Sequence, residues 1–486
     1  ATDRPVVRTE QGEVAGIARD GMQVFYGLPF AAPPVGELRW RAPQRPAAWS
    51  GIRDASQPAS ACAQDLTPGA ASFPKGMSED CLYLNVFAPG KARAKRMPVM
   101  VWIHGGSFRW GSAMDPAFDG AALTREGVVL VAINYRLDRF GRFAHPALAA
   151  SQIDEPRGNY ALMDQVAALQ WVQRNIDQFG GDPRNVTIFG CSAGGVSVDF
   201  LMSAPSAQGL FSKAIAQSGS IVPEGERRLD AKVGRVPSLE DDGRDFARYL
   251  NVPDDAETAA RLRALTTAQV LSYPKKDFSM QPVVDGRLIV DDPARVFAQG
   301  RQARVPFMSG AATFEASLIK PFNLPLVAVL NGIPLERARA AYGDLDDAAL
   351  KDVYFGDSLF LSSAYYLTAK MQTTGGRGYL YEYAYVNDAQ RGRNPGAYHC
   401  SETPRIFGTE WRNEPVTDAD RRMGDRLRGY WVGFAKAGSP VPSRSGEWMP
   451  NTEANPFLLR LELVSQPVAT PYPARMRLHL DRHPVR

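Results

Sequence analysis

A chain of 486 residues, 44% apolar and 22% charged, holds enough hydrophobic material for a large core and is too apolar for a disordered protein. Its 56 Lys and Arg against 52 Asp and Glu leave a net charge of +4, too even a balance to indicate nucleic acid or an anionic membrane as partner. No apolar run approaches the ~18 residues of a membrane span, and no repeat of ~20–50 residues recurs.

The opening segment reads as short strands. Residues 14–18 and 22–26 flank Arg19-Asp20-Gly21, and Asp-Gly there predicts a hairpin. A proline-rich stretch (29–46) and a loop (50–80) precede a compact strand at 82–87. Strands and helices then alternate. Residues 99–103 and 128–133 are continuous apolar runs, as in strands buried on both faces. Leu162, Val166, Leu169, Val172, Ile176 and Phe179 recur at helical steps, predicting an amphipathic helix closed by Gly180-Gly181. A third apolar strand at 186–189 runs toward a helix that begins near Ala193. Alternation of this kind predicts an α/β protein with a doubly wound, mostly parallel sheet. Residues 221–300 are more polar, with a charged helical stretch at 256–270. Strands at 305–309 and 379–385 and a helix at 420–437, ending at Gly438, complete the pattern. No long linker interrupts it, so a single domain over 1–486 is expected.

The sharpest feature is Gly190-Cys191-Ser192-Ala193-Gly194, a Gly-x-Ser-x-Gly run between an apolar strand and a helix. A nucleophile elbow requires this context. Glycines lack a Cβ and permit a strained turn, which leaves the serine exposed at a helix N-terminus. Ser192 is the candidate nucleophile; a structural turn would share the motif without needing its flanking elements. A serine hydroxyl needs a base, usually histidine. Of His104, His145, His399, His479 and His483, the serine–acid–histidine order of α/β-hydrolases excludes the first two. His479 and His483 stand in a charged C-terminal tail, where solvated surface roles are expected. His399 remains, with a loop histidine satisfied by backbone contacts as the plainer alternative.

Upstream, Trp102-Ile-His-Gly-Gly-Ser107-Phe108 follows a buried strand. Consecutive glycines let backbone N–H groups approach a developing oxyanion; a plain Gly-Gly turn is the alternative. Cys62, Cys81, Cys191 and Cys400 include no Cys-x-x-Cys pair and fit no zinc spacing. Free buried thiols and disulfides both stay open on this count.

Taken together, several motifs resemble the type-B carboxylesterases, the cholinesterase-like branch of the α/β-hydrolases. They are Phe25-Tyr-Gly-Leu-Pro-Phe-Ala-Ala-Pro-Pro34, Leu38-Arg-Trp40, Glu79-Asp-Cys-Leu-Tyr-Leu-Asn-Val-Phe87, Asn134-Tyr-Arg-Leu137, Asn185-Val-Thr-Ile-Phe-Gly190, Gln217-Ser-Gly219, Pro282-Val-Val-Asp-Gly286 and Trp431-Val-Gly-Phe434. The resemblance runs over nearly the whole chain. It implies an α/β-hydrolase with a large, mostly parallel central sheet, helices on both faces and elaborated loops.

It also implies Ser192 as nucleophile, His399 as base, and Glu315 as the acid. Glu315 lies five residues beyond Gly310, which follows Val305-Pro306, and Ala316 stands where the family usually has glycine. The implied oxyanion donors are the N–H groups of Gly106, Ser107 and Ala193, with Ser107 where glycine is common. Cys62 and Cys81 match the family's first disulfide. Cys191 replaces the glutamate that usually precedes the serine, and Cys400 the glycine that usually follows the histidine. A Cys191–Cys400 bridge, as in tannases and fungal feruloyl esterases, is the favoured reading of this double departure over two free thiols. Such a bridge needs an oxidising compartment, which agrees with an opening at Ala1 and implies a secreted or periplasmic setting.

The implied function is hydrolysis of a small carboxylic ester through an acyl-enzyme, with no metal or organic cofactor. No Trp occurs between Cys62 and Cys81, where the family's cation-binding tryptophan lies, so cholinesterase action is not expected. A non-catalytic adhesion-type homologue would have lost triad residues that this chain keeps, whereas a transacylase shares the triad. Phe108, Arg109 and Trp110 are candidate substrate contacts. Arg109 suits a substrate carboxylate, as in fumonisin-type esterases that release a polycarboxylic acid, although a salt bridge would use it equally well.

Overall fold

Apolar runs become the middle of a sheet. The computed structural model describes residues 4–66, 73–90, 96–221, 227–275, 277, 279–409, 414–442 and 446–481. Its residues group into two units interleaved along the chain: 1–188, 200–211 and 225–292 form one, and 189–199, 212–224 and 293–486 the other.

In the first unit, Val129–Ile133 is buried throughout. It pairs in parallel with Met97–Ile103 and antiparallel with Tyr83–Pro89, so Ile133 lies opposite both Ile103 and Leu84. Outward from Tyr83–Pro89 come Met22–Pro29 and Ile17–Arg19; on the other side, Met97–Ile103 neighbours the long strand Gly181–Cys191, whose residues to Ile188 belong to this unit. The Asp-Gly hairpin is present, Arg19 facing Met22, but its first strand is shorter than expected. Glu13–Ala15 pairs instead with Val6–Arg8 and Ile52–Asp54. The break falls at Gly16, where a Cβ would come within 2.4 Å of the Val24 carbonyl oxygen. The amphipathic helix spans Tyr160–Asn175 and buries Leu162, Val166, Leu169 and Val172, contributing roughly 1.5–3 kcal/mol per large side chain. A 3-10 turn, Ile176–Phe179, extends it to Gly180 at φ 85°. The charged stretch at 256–270 divides into Thr258–Ala264 and Thr267–Ser272, because Thr266 starts a new helix with a capping box to Gln269.

In the second unit, Lys213–Gln217, Phe307–Ala312, Gly378–Tyr383 and Phe457–Leu461 run parallel in that order, edged by the antiparallel Gln466–Ala469. Residues 189–191 bring the end of Gly181–Cys191 beside Lys213–Gln217. Ala311, Phe360, Leu361, Ala364, Leu380, Leu458 and Met476 form a core cluster here. Asp418–Ala437 begins at a Thr417 capping box and ends at Gly438, φ 72°. His479 corrects the expectation of a solvated tail. It is 4% exposed on the helix Pro473–Leu480, its Nε2 2.7 Å from the Tyr342 hydroxyl, which donates to Asp357 at 2.6 Å. Arg475 closes the network on Asp357 at 2.7 Å, so His479 packs against a partnered charge rather than solvent. His483 lies outside the described residues.

Candidate active site

Ser192 stands between the strand Gly181–Cys191 and the helix Ala193–Ser203 at φ 59°, a left-handed conformation costly for a residue with a Cβ. Its surroundings over-determine that turn. Ser192 N–H donates to the Gln217 carbonyl at 2.9 Å, and the Ser192 carbonyl accepts from Val196 N–H at 2.8 Å. A Cβ on Gly195 would come within 2.4 Å of that same Gln217 oxygen, so the helix approaches the neighbouring strand only with glycine there. The side chain is half-buried at a helix N-terminus.

The candidate acid, Glu315, follows a further strand of the second unit. After Phe307–Ala312 the chain turns into Glu315–Leu318, and Glu315 is 1% exposed. Its Oε1 accepts from Ala312 N–H at 2.7 Å and from the Ser218 hydroxyl at 2.5 Å; its Oε2 accepts from His399 Nδ1. Three donors thus satisfy the buried carboxyl group, as polar atoms away from water require. Gly356 allows the helix Asp347–Gly356 to lie against it, since a Cβ there would meet Glu315 Cβ at 3.3 Å. One π-helical turn later, Phe360 places its ring 5.2 Å from that of His399.

His399 is held at both ends. Its backbone N–H donates to Ser317 Oγ at 3.0 Å, and Nδ1 is engaged by Glu315. Donation from Nδ1 leaves the lone pair on Nε2, which is buried and has no hydrogen-bond partner among the described residues. Cys191 and Cys400 are bonded, their Cα atoms 6.0 Å apart, so the residue before Ser192 is tied to the residue after His399. Cys62 and Cys81 form the other bridge.

The remaining described histidines are occupied or neutral. His104 is buried, stacked on Tyr135 with ring centroids 4.4 Å apart, and desolvation pushes it down to about 4. His145 Nδ1 accepts from Ala147 N–H at 3.1 Å, capping Pro146–Ser151.

In the first unit, the loop after Met97–Ile103 passes through positive φ at Gly106, Ser107 and Phe108. The Gly106 carbonyl accepts from Arg109 and Trp110 N–H, both at 2.9 Å, and a Cβ on Gly106 would collide with the Trp110 oxygen at 2.2 Å. The N–H groups of Gly106 and Ser107 meet no acceptor among the described residues. Phe108 is 1% exposed and lies edge-on to Tyr135, so it belongs to the packed side of the loop. Arg109 lies 4.2 Å over the Trp110 ring and 4.0 Å from Asp138, while Trp110 Nε1 donates to the Asp65 carbonyl at 2.7 Å.

Ser218 and Ser317 orient Glu315 and His399, yet the sequence assigned them no role. Gln217-Ser218-Gly219 was visible as a motif, but hydroxyl partners 97 and 82 residues away leave no spacing signal. Among the described residues no group of three His, Cys, Asp or Glu could hold a metal ion.

Comparison with known proteins matches residues 3–333 and 336–479 to the Carboxylesterase family. The chain is 33% identical over 472 residues to the fumonisin B1 esterase of Sphingopyxis macrogoltabida, covering 92% of this chain and 85% of that one. It is 33% identical over 462 residues to the para-nitrobenzyl esterase of Bacillus subtilis (strain 168), covering 90% of each. A solved PNB esterase superposes with a TM-score of 0.85 at 28% identity, over 99% of both chains.

Proposed function

The chain belongs to the carboxylesterase family, with the α/β-hydrolase fold, and hydrolyses carboxylic esters; from that premise we propose that Ser192, His399 and Glu315 carry the reaction. The observation that supports this most is the Glu315–His399 pair, which fixes one imidazole tautomer and leaves a buried, unpartnered lone pair on Nε2. In this scheme Ser192 attacks the acyl carbon as Nε2 takes its proton. Glu315 keeps the tautomer and offsets the charge of the imidazolium. The proposed oxyanion donors are the N–H groups of Gly106 and Ser107, which meet no acceptor among the described residues, and of Ala193, first residue of its helix. His399 then protonates the leaving alcohol, and water releases the acyl group by the same route.

The test is covalent titration with a p-nitrophenyl phosphonate. One equivalent of p-nitrophenol and a phosphonylated peptide containing Ser192 are expected, with neither in Ser192→Ala. Labelling elsewhere, or full turnover by a folded Ser192→Ala, defeats the assignment.

A second reading gives the substrate a free carboxylate held by Arg109, whose buried Nε faces Asp138 only at 4.0 Å and makes no hydrogen bond among the described residues. A panel of neutral, carboxylate-bearing and feruloyl esters separates it, equal rates removing the case for Arg109. An alcohol acceptor added to the same assay separates transacylation from hydrolysis. Residues 1–486 are read as one esterase domain, a reading supported by a family match that runs through both units. The two disulfides support an oxidising setting, secreted or periplasmic. No helix among the described residues is long and apolar enough to cross a membrane.

A further inference from the structure

Ser107 and Phe108 are consecutive, both carry side chains, and both are left-handed at φ 57°. That conformation is costly for a residue with a Cβ and persists only where its surroundings over-determine it. Two contacts hold the turn, each on a carbonyl. The Phe108 oxygen accepts from Asp138 N–H at 2.7 Å, and the Ser107 oxygen accepts from Met280 N–H at 2.9 Å. Asp138 opens the short helix Asp138–Gly141 and is fixed by it. Met280 is buried but belongs to no helix or strand, so something else must fix it.

Two arginines from that same short helix do this. Arg142, its C-cap, donates through Nη1 to the Gln281 carbonyl at 2.9 Å and through Nη2 to Asp277; Met280 Sδ lies 3.3 Å from Nη2. Arg227 pairs with the same Asp277 carboxylate at 3.1 Å. Arg139 donates to the Lys275 carbonyl at 2.5 Å and to Asp242 at 2.7 Å. The Arg142 side chain is 6% exposed, and charge-assisted bonds of this kind are among the stronger ones a side chain makes. The helix Asp138–Gly141 therefore grips the loop twice, directly at Phe108 and through Asp277 and Met280 at Ser107.

We propose that Asp277 is a positioning residue for the oxyanion hole: clamped by Arg142 and Arg227, it seats Met280 N–H on the Ser107 carbonyl and so keeps the N–H groups of Gly106 and Ser107 aimed at the developing oxyanion. This rests on that loop supplying the donors. Neither Asp277 nor Met280 N–H touches the reacting atoms in this account; both act on the loop. Without the clamp Ser107 relaxes toward negative φ and its peptide groups turn, while Ser192, His399 and Glu315 stay as they were. What is lost is an interaction made only in the transition state, which lowers kcat and spares KM.

The experiment measures kcat, KM and the inhibition constant of a trifluoromethyl ketone for the full chain and for Asp277→Ala. Addition of the Ser192 oxygen to that ketone places an oxyanion where the reaction would. Removing a donor outright costs about 100- to 1,000-fold. A loosened pair should cost about tenfold in kcat, with the ketone constant raised in step and KM changed less than about threefold. In a Ser107→Gly background, where the left-handed turn carries no Cβ penalty, the same Asp277→Ala change should cost less than about threefold. A folded Asp277→Ala with the parent kcat, a ketone constant that does not follow kcat, or an equal loss in both backgrounds overturns the proposal. If Asp277→Ala does not fold, Asp277→Asn decides. It keeps an acceptor and removes the charge, so about a threefold loss of kcat with KM kept is expected; an unchanged kcat overturns the proposal. Failure of the oxyanion reading itself shows separately, as a normal kcat in Gly106→Ala, whose Cβ would strike the Trp110 oxygen.

Discussion

Breaking the Cys191–Cys400 bridge separates two things a disulfide does, limiting the unfolded chain and placing side chains. The bridged residues are 209 apart in sequence, so the chain-entropy account gives it about 5 kcal/mol, against about 3 kcal/mol for Cys62–Cys81 with a separation of 19. At roughly 2.1 cal/mol/K per residue of unfolding entropy, 5 kcal/mol corresponds to a Tm loss of about 5 °C for this length. The catalytic effect is worked from what remains. Without the bridge His399 keeps Glu315 at Nδ1, Ser317 at its N–H and Phe360 against its ring. The imidazole keeps its tautomer and loses only the tether of its backbone to the strand end before Ser192. A displacement of up to ~1 Å between base and nucleophile costs up to ~100-fold. The double variant Cys191→Ala/Cys400→Ala should therefore fall about 10- to 100-fold in kcat, with KM changed less than about threefold. The assay is steady-state hydrolysis of a p-nitrophenyl ester, well below the variant's Tm, normalised to phosphonate-titrated sites. A folded double variant within twofold of the parent kcat, or one that loses KM and keeps kcat, would refute the reasoning. Non-reducing peptide mapping of the parent should return Cys191 joined to Cys400.

Other outcomes follow from particular contacts. Ser218→Ala removes a 2.5 Å donor from the buried Glu315 carboxylate; a loss of about 1–3 kcal/mol in stability and a lower kcat are expected, read by denaturant titration and steady-state kinetics. Gly195→Ala should abolish phosphonate titration, because its Cβ would fall 2.4 Å from the Gln217 oxygen that holds Ser192; a normal site count would contradict this. Desolvation raises Glu402, buried on the helix Glu402–Phe407, from 4.5 to about 7, so the folded state holds its proton through a range where the unfolded chain has released it. The protection is present below about pH 4.5 and lost as pH rises through about 7, so Glu402→Gln should gain roughly 3 kcal/mol over the parent above pH 7 and little below pH 4.5. Urea midpoints at both ends of that window check it, and a gain confined to low pH would be the wrong sign.

Much of the framework was written in local order. Apolar runs at Val129–Ile133 and the recurrence of Leu162, Val166, Leu169 and Val172 announce buried strand and helix because burial repeats with the backbone period. The Gly-x-Ser-x-Gly run announces Ser192 for the same reason: the strained turn, the strand before it and the helix after it are all local. Order along the chain left His399 as the candidate base, and resemblance supplied Glu315 as candidate acid and the pairing of the cysteines. Tertiary structure decided which polar residues are buried and what they meet. His479 sits among charges that suggest a surface, and only the packing of Pro473–Leu480 puts it on Tyr342. Ser218, Gln217 and Glu402 are ordinary polar letters until the strands bring them beneath Ser192 and His399. Backbone periodicity is visible in a window of a few residues, whereas a hydrogen bond between groups 97 or 185 positions apart exists only once the sheet has closed the distance.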